Sequence, residues 1–68
     1  MRISSRNQLK GTIVNLVKGQ VLTKVTIDIG GQTVTAAILN ESAEDLGLKV
    51  GNPATAVIKA TEVLVAVD

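Results

Sequence analysis

Apolar and polar residues alternate along most of this chain, and glycine or proline separates the alternating runs. A period of two is typical of a strand that has one face against a core. The alternating runs predict strands at about residues 21–29, 32–39 and 54–60. A β-branched-rich run that is apolar on both faces predicts a strand at about residues 9–18, and residues 63–67 predict a fifth strand that is also apolar on both faces. Such a last strand would be half exposed in a monomer, so we expect another chain to cover it.

Turn-forming residues separate these predicted strands. Gly19 predicts the first turn, and the Gly30-Gly31 pair predicts a hairpin turn because glycine readily takes positive φ. Residues 50–53 predict a further turn, in which the proline presets φ at the entry to the fourth strand.

One stretch, residues 40–47, has the features of a short helix. Asn40 or Ser42 can be its N-cap, acidic residues fill its first turn, and Gly47 can take the left-handed conformation that ends a helix. Ser42 has two interpretations. As the N-cap, its hydroxyl would accept a helix N–H; after an Asn40 cap, it would point outward at the positive end of the helix, where an anion can bind.

The predicted order is β-β-β-α-β-β in one domain that spans residues 1–68. Five strands with one short helix between the third and fourth are the layout of the OB-fold, so we predict an all-β, five-stranded Greek-key barrel. A domain of this size buries only about 60% of the surface that its unfolded chain exposes. Because the chain has no cysteine for disulfides and no aromatic residue for a larger core, we expect a homo-oligomer with a shared core.

The composition argues against an enzyme and against a metal-ion centre. Without His or Cys the chain has no Ser-His-Asp or Cys-His arrangement and lacks the commonest transition-metal ligands. The six carboxylates fall mostly on predicted solvent faces or at the helix start, and no pair suits general acid–base work. We therefore predict no catalytic residue, no metal ligand and no organic cofactor.

Charge and hydropathy restrict the possible partners. The net charge of +1 lacks the basic excess that duplex nucleic acid or an anionic membrane attracts. No apolar run approaches the roughly 20 residues of a membrane span, and no apolar signal segment follows Met1. We expect a cytoplasmic protein without nucleic-acid or membrane partners. A single-stranded nucleic-acid module is the alternative for an OB-fold, although the chain has no aromatic side chain for base stacking.

The hydrogen-bond donors of the chain suit an oxyanion. A buried dianion needs roughly two positive charges and several neutral donors. Arg6 offers a forked guanidinium and Lys59 a second charge, although a lysine in an apolar strand is equally explained as a strand-edge residue. Ser4 adds a hydroxyl near Arg6. A site built only from donors favours fully deprotonated molybdate, tungstate or sulfate over monohydrogen phosphate, whose proton needs an acceptor.

The opening of the chain resembles a known family. Residues 4–11 read Ser-Ser-Arg-Asn-Gln-Leu-Lys-Gly, which is similar to the Ser-Ala-Arg-Asn-Gln-x-x-Gly opening of molbindins, the Mop domains that bind molybdate. The resemblance continues through Ser42, residues 46–48 and residues 57–61, and covers the whole chain. It implies an OB-like barrel that assembles as a hexamer, a trimer of dimers, with strands exchanged between subunits and oxyanions at the subunit interfaces.

The resemblance also implies particular ligands. Carried over by position, Ser4 and Arg6 correspond to the N-terminal oxyanion ligands and Lys59 to the strand lysine, while Ser42 corresponds to a helix-start serine contributed by a neighbour. The implied function is the binding of molybdate or tungstate for intracellular storage or homeostasis. A regulatory role and a purely structural assembly domain are the other interpretations.

Two positions depart from the molbindin pattern. Related domains can have Thr where this chain has Leu39, so one hydroxyl is missing here. Ser5 replaces the usual Ala of the opening motif, which is a small change in size.

Overall fold

The computed structural model describes all residues 1–68 and shows a curled antiparallel sheet with one short helix. Its elements, in chain order, are β1 (Asn7–Lys18), β2 (Leu22–Asp28), β3 (Thr33–Leu39), α1 (Asn40–Asp45) and β4 (Pro53–Ile58), followed by a single 3₁₀ turn at Ala60–Glu62. The strand order in the sheet is β3-β2-β1-β4, so β1 is paired on both sides and β3 and β4 are the edges.

A bulge explains why β1 is apolar on both faces in the sequence. Its pairing with β2 shifts register between Ile13 and Asn15, which leaves Val14 as the extra residue. Before the bulge Ile13 faces the core, and after it Leu16 packs against the core instead. Val14 is exposed. Apolar residues at both odd-numbered and even-numbered positions of β1 therefore face the core of the protein.

The core is small and aliphatic. Its buried apolar side chains are Ile13, Val25, Ile27 and Ala56. Thr23 is the one buried polar residue, and it shares the inward face of β2 with two of the core residues, as the alternation predicts. Four buried apolar residues in a chain of 68 form a minimal core, which is consistent with a domain that completes its core with another chain.

The Gly30-Gly31 pair forms the predicted hairpin turn between β2 and β3. Both residues have positive φ, 106° and 88°, and the Ile29 N–H donates to the Gln32 carbonyl across the turn at 2.8 Å. The Asp28 carboxylate accepts both glycine N–H groups, at 2.9 and 3.3 Å. The hairpin prediction is confirmed.

The C-terminal end of α1 also follows the prediction. Gly47 has a φ of 64°, and its N–H donates to the Glu44 carbonyl at 3.0 Å. The Leu48 N–H donates to the Ala43 carbonyl at 3.2 Å, which completes a Schellman motif.

The predicted N-cap of the helix is wrong. Leu39 is the N-cap residue, α1 begins at Asn40, and no side chain caps it. Asn40 cannot cap because its amide is engaged elsewhere: it donates to the Gly19 carbonyl at 3.0 Å and accepts the Thr23 hydroxyl at 2.6 Å. Ser42 is the third residue of α1, not its cap.

The predicted fifth strand is also wrong for the single chain, which has four strands. Residues 63–68 follow the 3₁₀ turn and form no strand, and Leu64, Val65 and Val67 are 93%, 88% and 92% exposed. A strand requires another strand for its backbone hydrogen bonds. Residues 63–68 have no such partner within their own chain, although their side chains are as apolar as those of the core.

The unpaired sheet edges leave an apolar groove open. It has a volume of about 820 Å³ and is lined by residues of β2, β3 and β4, together with Met1 and the leucines that follow α1. Twelve of its fifteen lining residues are apolar. The concave side of the sheet is therefore only partly covered by its own chain.

Replacing Gly11 with alanine tests the close approach of β1 and β2. A Cβ at this position would lie 2.2 Å from the backbone oxygen of Asp28, which cannot move without breaking the sheet. We expect Gly11→Ala to destabilise the protein by about 1–3 kcal/mol or more, as overpacking does. The measurement is denaturant unfolding at fixed protein concentration. Thr12→Ala, an exposed neighbour on the same strand, is the control, and equal stability of the two variants would contradict the packing described here.

Candidate functional site

Arg6 and Lys59 flank the same end of the β1–β4 ladder, at one corner of the sheet. Asn7 pairs with Ile58 at the last position of the β1–β4 ladder. Arg6 immediately precedes this pair and Lys59 immediately follows it, so two cationic residues that are 53 positions apart in sequence flank the same backbone pairing. Both residues are exposed. We call the group Ser4, Arg6 and Lys59 the cationic corner.

Lys59 lies outside the strand in which the sequence places it. β4 ends at Ile58, and Lys59 has extended dihedral angles and begins the 3₁₀ turn. Its carbonyl accepts the Glu62 N–H at 2.9 Å, and this bond turns the chain away from the ladder. The lysine side chain is consequently free of strand neighbours on one side and reaches solvent.

The residues around Arg6 alternate between exposed and half-buried. Ser4, Arg6 and Gln8 are exposed, whereas Ser5 and Asn7 are half-buried. The chain bends at Ser4 and at Arg6 before β1 begins at Asn7, and both side chains are exposed to solvent.

Side-chain hydrogen bonds attach this segment to the end of β4. The Ser5 hydroxyl donates to the Ile58 carbonyl at 3.0 Å, and the Asn7 amide donates to the same oxygen at 3.1 Å. The Gln8 amide donates to the Ser5 carbonyl at 2.8 Å. The alternating pattern before the first strand does not reveal these bonds, and sequence reasoning missed Ser5 and Asn7 as anchors.

Ser42 does not join the cationic corner within one chain. It is half-buried on α1, which packs against β2 and β3. The Lys18–Glu44 ion pair, at 3.2 Å, places α1 beside the C-terminal end of β1. Arg6 lies at the N-terminal end of the same twelve-residue strand. The structure thus places Arg6 and Lys59 beside the same end of the β1–β4 ladder, with Ser4 two residues before Arg6, and places Ser42 on α1 beside the other end of β1.

Asn40 positions α1, and sequence reasoning missed this role too. Its N–H donates to the Val21 carbonyl at 2.9 Å, and its side chain bonds both Gly19 and Thr23. A threonine at an inward position of a strand among valine and isoleucine indicates a buried hydroxyl that needs a partner. The position of Thr23 among apolar residues was therefore the one feature of the sequence that indicated a hydrogen-bond partner such as Asn40.

The cationic corner is electrostatically suited to an anion. Lys18–Glu44 is the one ion pair in the structure, so neither Arg6 nor Lys59 is neutralised by a carboxylate of its own chain. No group of three acidic side chains comes together that could hold a metal cation.

None of the helices has both the length and the apolar character that crossing a membrane requires.

Comparison with known proteins gives the family. The TOBE domain family matches residues 3–65 of the chain. Molybdenum-pterin-binding protein 3 of Clostridium pasteurianum is 52% identical over 66 residues, which cover 96% of this chain and 97% of that protein. The chain belongs to the TOBE-domain family of molybdenum-pterin-binding proteins. The resemblance to Mop domains is confirmed.

Solved structures of this family share the fold. A molybdate-binding protein from Sporomusa ovata superposes with a TM-score of 0.92 at 44% identity, over 97% of this chain and 98% of that one. The cytoplasmic molybdate-binding protein ModG, with molybdate bound, gives a TM-score of 0.83 at 41% identity, over 88% of this chain and 43% of that one. The mostly β architecture with one short helix is therefore that of molybdate-binding proteins.

A double-mutant cycle tests the role of Asn40. Asn40→Ala removes the acceptor of the Thr23 hydroxyl, which is only 5% exposed, and should cost about 1–3 kcal/mol because a buried polar group loses its partner. Thr23→Val should lower the free energy of unfolding by less in the Asn40→Ala background than in the parent protein. Thermal or denaturant unfolding of the four proteins measures this coupling, and strictly additive effects would show that the hydrogen bond does not anchor α1.

Proposed function

We propose that this protein binds molybdate, or the chemically similar tungstate, at sites shared between copies of the chain, and so stores the oxyanion in the cytoplasm. The observation that carries the proposal is the cationic corner, where Arg6 and Lys59 flank one ladder pair without any carboxylate partner. Relatives support the proposal, since proteins of matching length are named for binding molybdenum-pterin, and one with the same fold for binding molybdate.

The corner has the charge and the hydrogen-bond donors that a tetrahedral dianion needs. Arg6 and Lys59 together supply two positive charges, and the Arg6 guanidinium can hold two oxygens at once. Ser4, which is also exposed, adds a neutral hydroxyl two residues before Arg6. Because Arg6 and Lys59 can only donate hydrogen bonds, the site favours fully deprotonated oxyanions and disfavours monohydrogen phosphate. The metal enters as its oxyanion and is not coordinated by protein ligands.

The remaining donor comes from a second chain in this proposal. Ser42 is half-buried, makes no side-chain hydrogen bond, and lies at the far end of β1 from its own Arg6. Residues 63–68 and the open groove are apolar surfaces that a neighbouring copy would cover. We therefore assign Ser42 to the site of a neighbour, within a hexamer built as a trimer of dimers. Leu39 beside it offers no hydroxyl, so this chain has one hydrogen bond fewer than related domains with threonine.

Storage suits the chemistry of the site better than catalysis. The corner offers charge and hydrogen-bond donors but no paired acid and base, so it can hold an oxyanion without transforming it. The relatives are named as binding proteins. A single-stranded nucleic-acid module is not favoured, because the chain has no aromatic residue on which bases could stack.

Arg6→Ala tests the proposal in solution. The change removes at least one charged hydrogen bond, worth about 1.5–3 kcal/mol, and should weaken molybdate binding at least about tenfold. Titration calorimetry on protein of known oligomeric mass measures the affinity, with excess phosphate as a competitor that should not displace molybdate because its proton needs an acceptor.

Arg2→Ala is the matched control for this experiment. Arg2 is an exposed arginine of the same N-terminal segment but lies outside the cationic corner, so its removal should leave the affinity unchanged. Equal affinities of the parent and Arg6→Ala would overturn the site assignment. Absence of molybdate binding by the assembled, anion-free parent would overturn the function.

A further inference from the structure

Two side chains hold the cationic corner in place without pointing into it. Ser5 and Asn7 flank Arg6 in sequence, and both donate to the carbonyl oxygen of Ile58, at 3.0 and 3.1 Å. A carbonyl oxygen has two lone pairs and can accept two such donors. The acceptor belongs to the residue that directly precedes Lys59. A single backbone oxygen therefore links the chain on both sides of Arg6 to the chain that carries Lys59.

Anchoring and binding fall to different residues of this segment. Ser5 and Asn7 are half-buried and donate to the end of β4, whereas Ser4 and Arg6 are exposed. Fixing the residues on both sides of Arg6 restricts the backbone from which its side chain extends. The anchors thus determine where the donors lie while leaving them free to contact a ligand.

The backbone of Lys59 is restrained from both directions. Before it, the Ile58 carbonyl is held by Ser5 and Asn7; after it, the Lys59 carbonyl accepts the Glu62 N–H at 2.9 Å. The Lys59 side chain itself is exposed. These hydrogen bonds order the backbone of Lys59 before any ligand binds. Less conformational entropy is then lost on binding.

We infer that Ser5 and Asn7 are positioning residues for the oxyanion site, which pre-organise Arg6 and Lys59 through their shared bond to the Ile58 carbonyl. This inference rests on the proposed function and adds to it residues that touch no ligand. Ser5 stands where the molbindin opening has Ala, so its bond is an additional restraint in this chain.

Loss of this restraint should lower the molybdate affinity moderately. Ser5→Ala removes one hydrogen bond of ordinary strength, and we expect molybdate affinity to fall about three- to tenfold. Ser5→Thr keeps the hydroxyl and should restore the affinity. Asn7→Ala should weaken binding in the same way as Ser5→Ala, and the double variant should be weaker than either single variant.

The experiment combines two measurements on the full chain. Titration calorimetry gives the molybdate affinity of the parent and the variants. Amide hydrogen exchange of the anion-free proteins gives the order of the N-terminal segment independently of any ligand. Ile13→Val is the control for general destabilisation, since it removes one methyl group from the most buried core residue, far from the corner. It should lower the melting temperature without changing the affinity.

The outcomes separate this inference from the proposed function. Faster exchange around Arg6 and weaker binding in Ser5→Ala, both restored by Ser5→Thr, would support the positioning role. A parent that binds molybdate while Ser5→Ala binds equally well would overturn the positioning role alone. Unchanged exchange in Ser5→Ala would also overturn it, because the anchor would then order nothing. A parent that binds no molybdate would overturn both.

Discussion

The antiparallel pairing of β1 with β4 is the contact on which the site depends. It runs from Thr12 opposite Pro53 to Asn7 opposite Ile58, and so joins the two ends of a short chain. Without this ladder Arg6 and Lys59 would be distant positions on a flexible polymer. With it, the backbone places two like charges at one corner, where an anion would relieve their mutual repulsion. The side-chain bonds of Ser5 and Asn7 extend the same pairing beyond its last rung.

A second constraint is the lack of a sufficient core. The chain buries four apolar side chains, leaves its concave side open as a groove, and exposes the apolar residues that follow the 3₁₀ turn. These features have one physical origin: a chain of 68 residues without aromatic side chains or disulfides has too small a core to cover its own sheet. Association would cover this surface and would also bring Ser42 of one chain to the corner of another. In this account stability and oxyanion binding depend on the same contact between chains.

The sequence predicted the features that local chemistry controls. The alternation of β2, the glycine pair at the hairpin and Gly47 after α1 all behave as predicted, because each depends only on neighbouring residues. Features that depend on partners distant along the chain were predicted poorly from the sequence. The apolar pattern of residues 63–67 indicates a need for cover but not which chain supplies it, and Asn40 cannot be an N-cap because Thr23 and Gly19 occupy its amide. For the site, residue identity and family resemblance indicated Ser4, Arg6 and Lys59, whereas the anchors became visible only as hydrogen bonds in the structure.

The central claim is that each oxyanion is held by Arg6 and Lys59 of one chain and Ser42 of another. Co-expression of two variants, Arg6→Ala and Ser42→Asp, tests it most directly. Each variant alone should bind molybdate weakly, since one lacks the guanidinium and the other places a negative charge beside the anion. If the site is shared, mixed oligomers contain some sites with an intact Arg6 from one variant and an intact Ser42 from the other. Calorimetry should then detect a fraction of sites with parental affinity. Mixed oligomers, shown by native mass spectrometry to contain both chains, that have only weak sites would contradict the account.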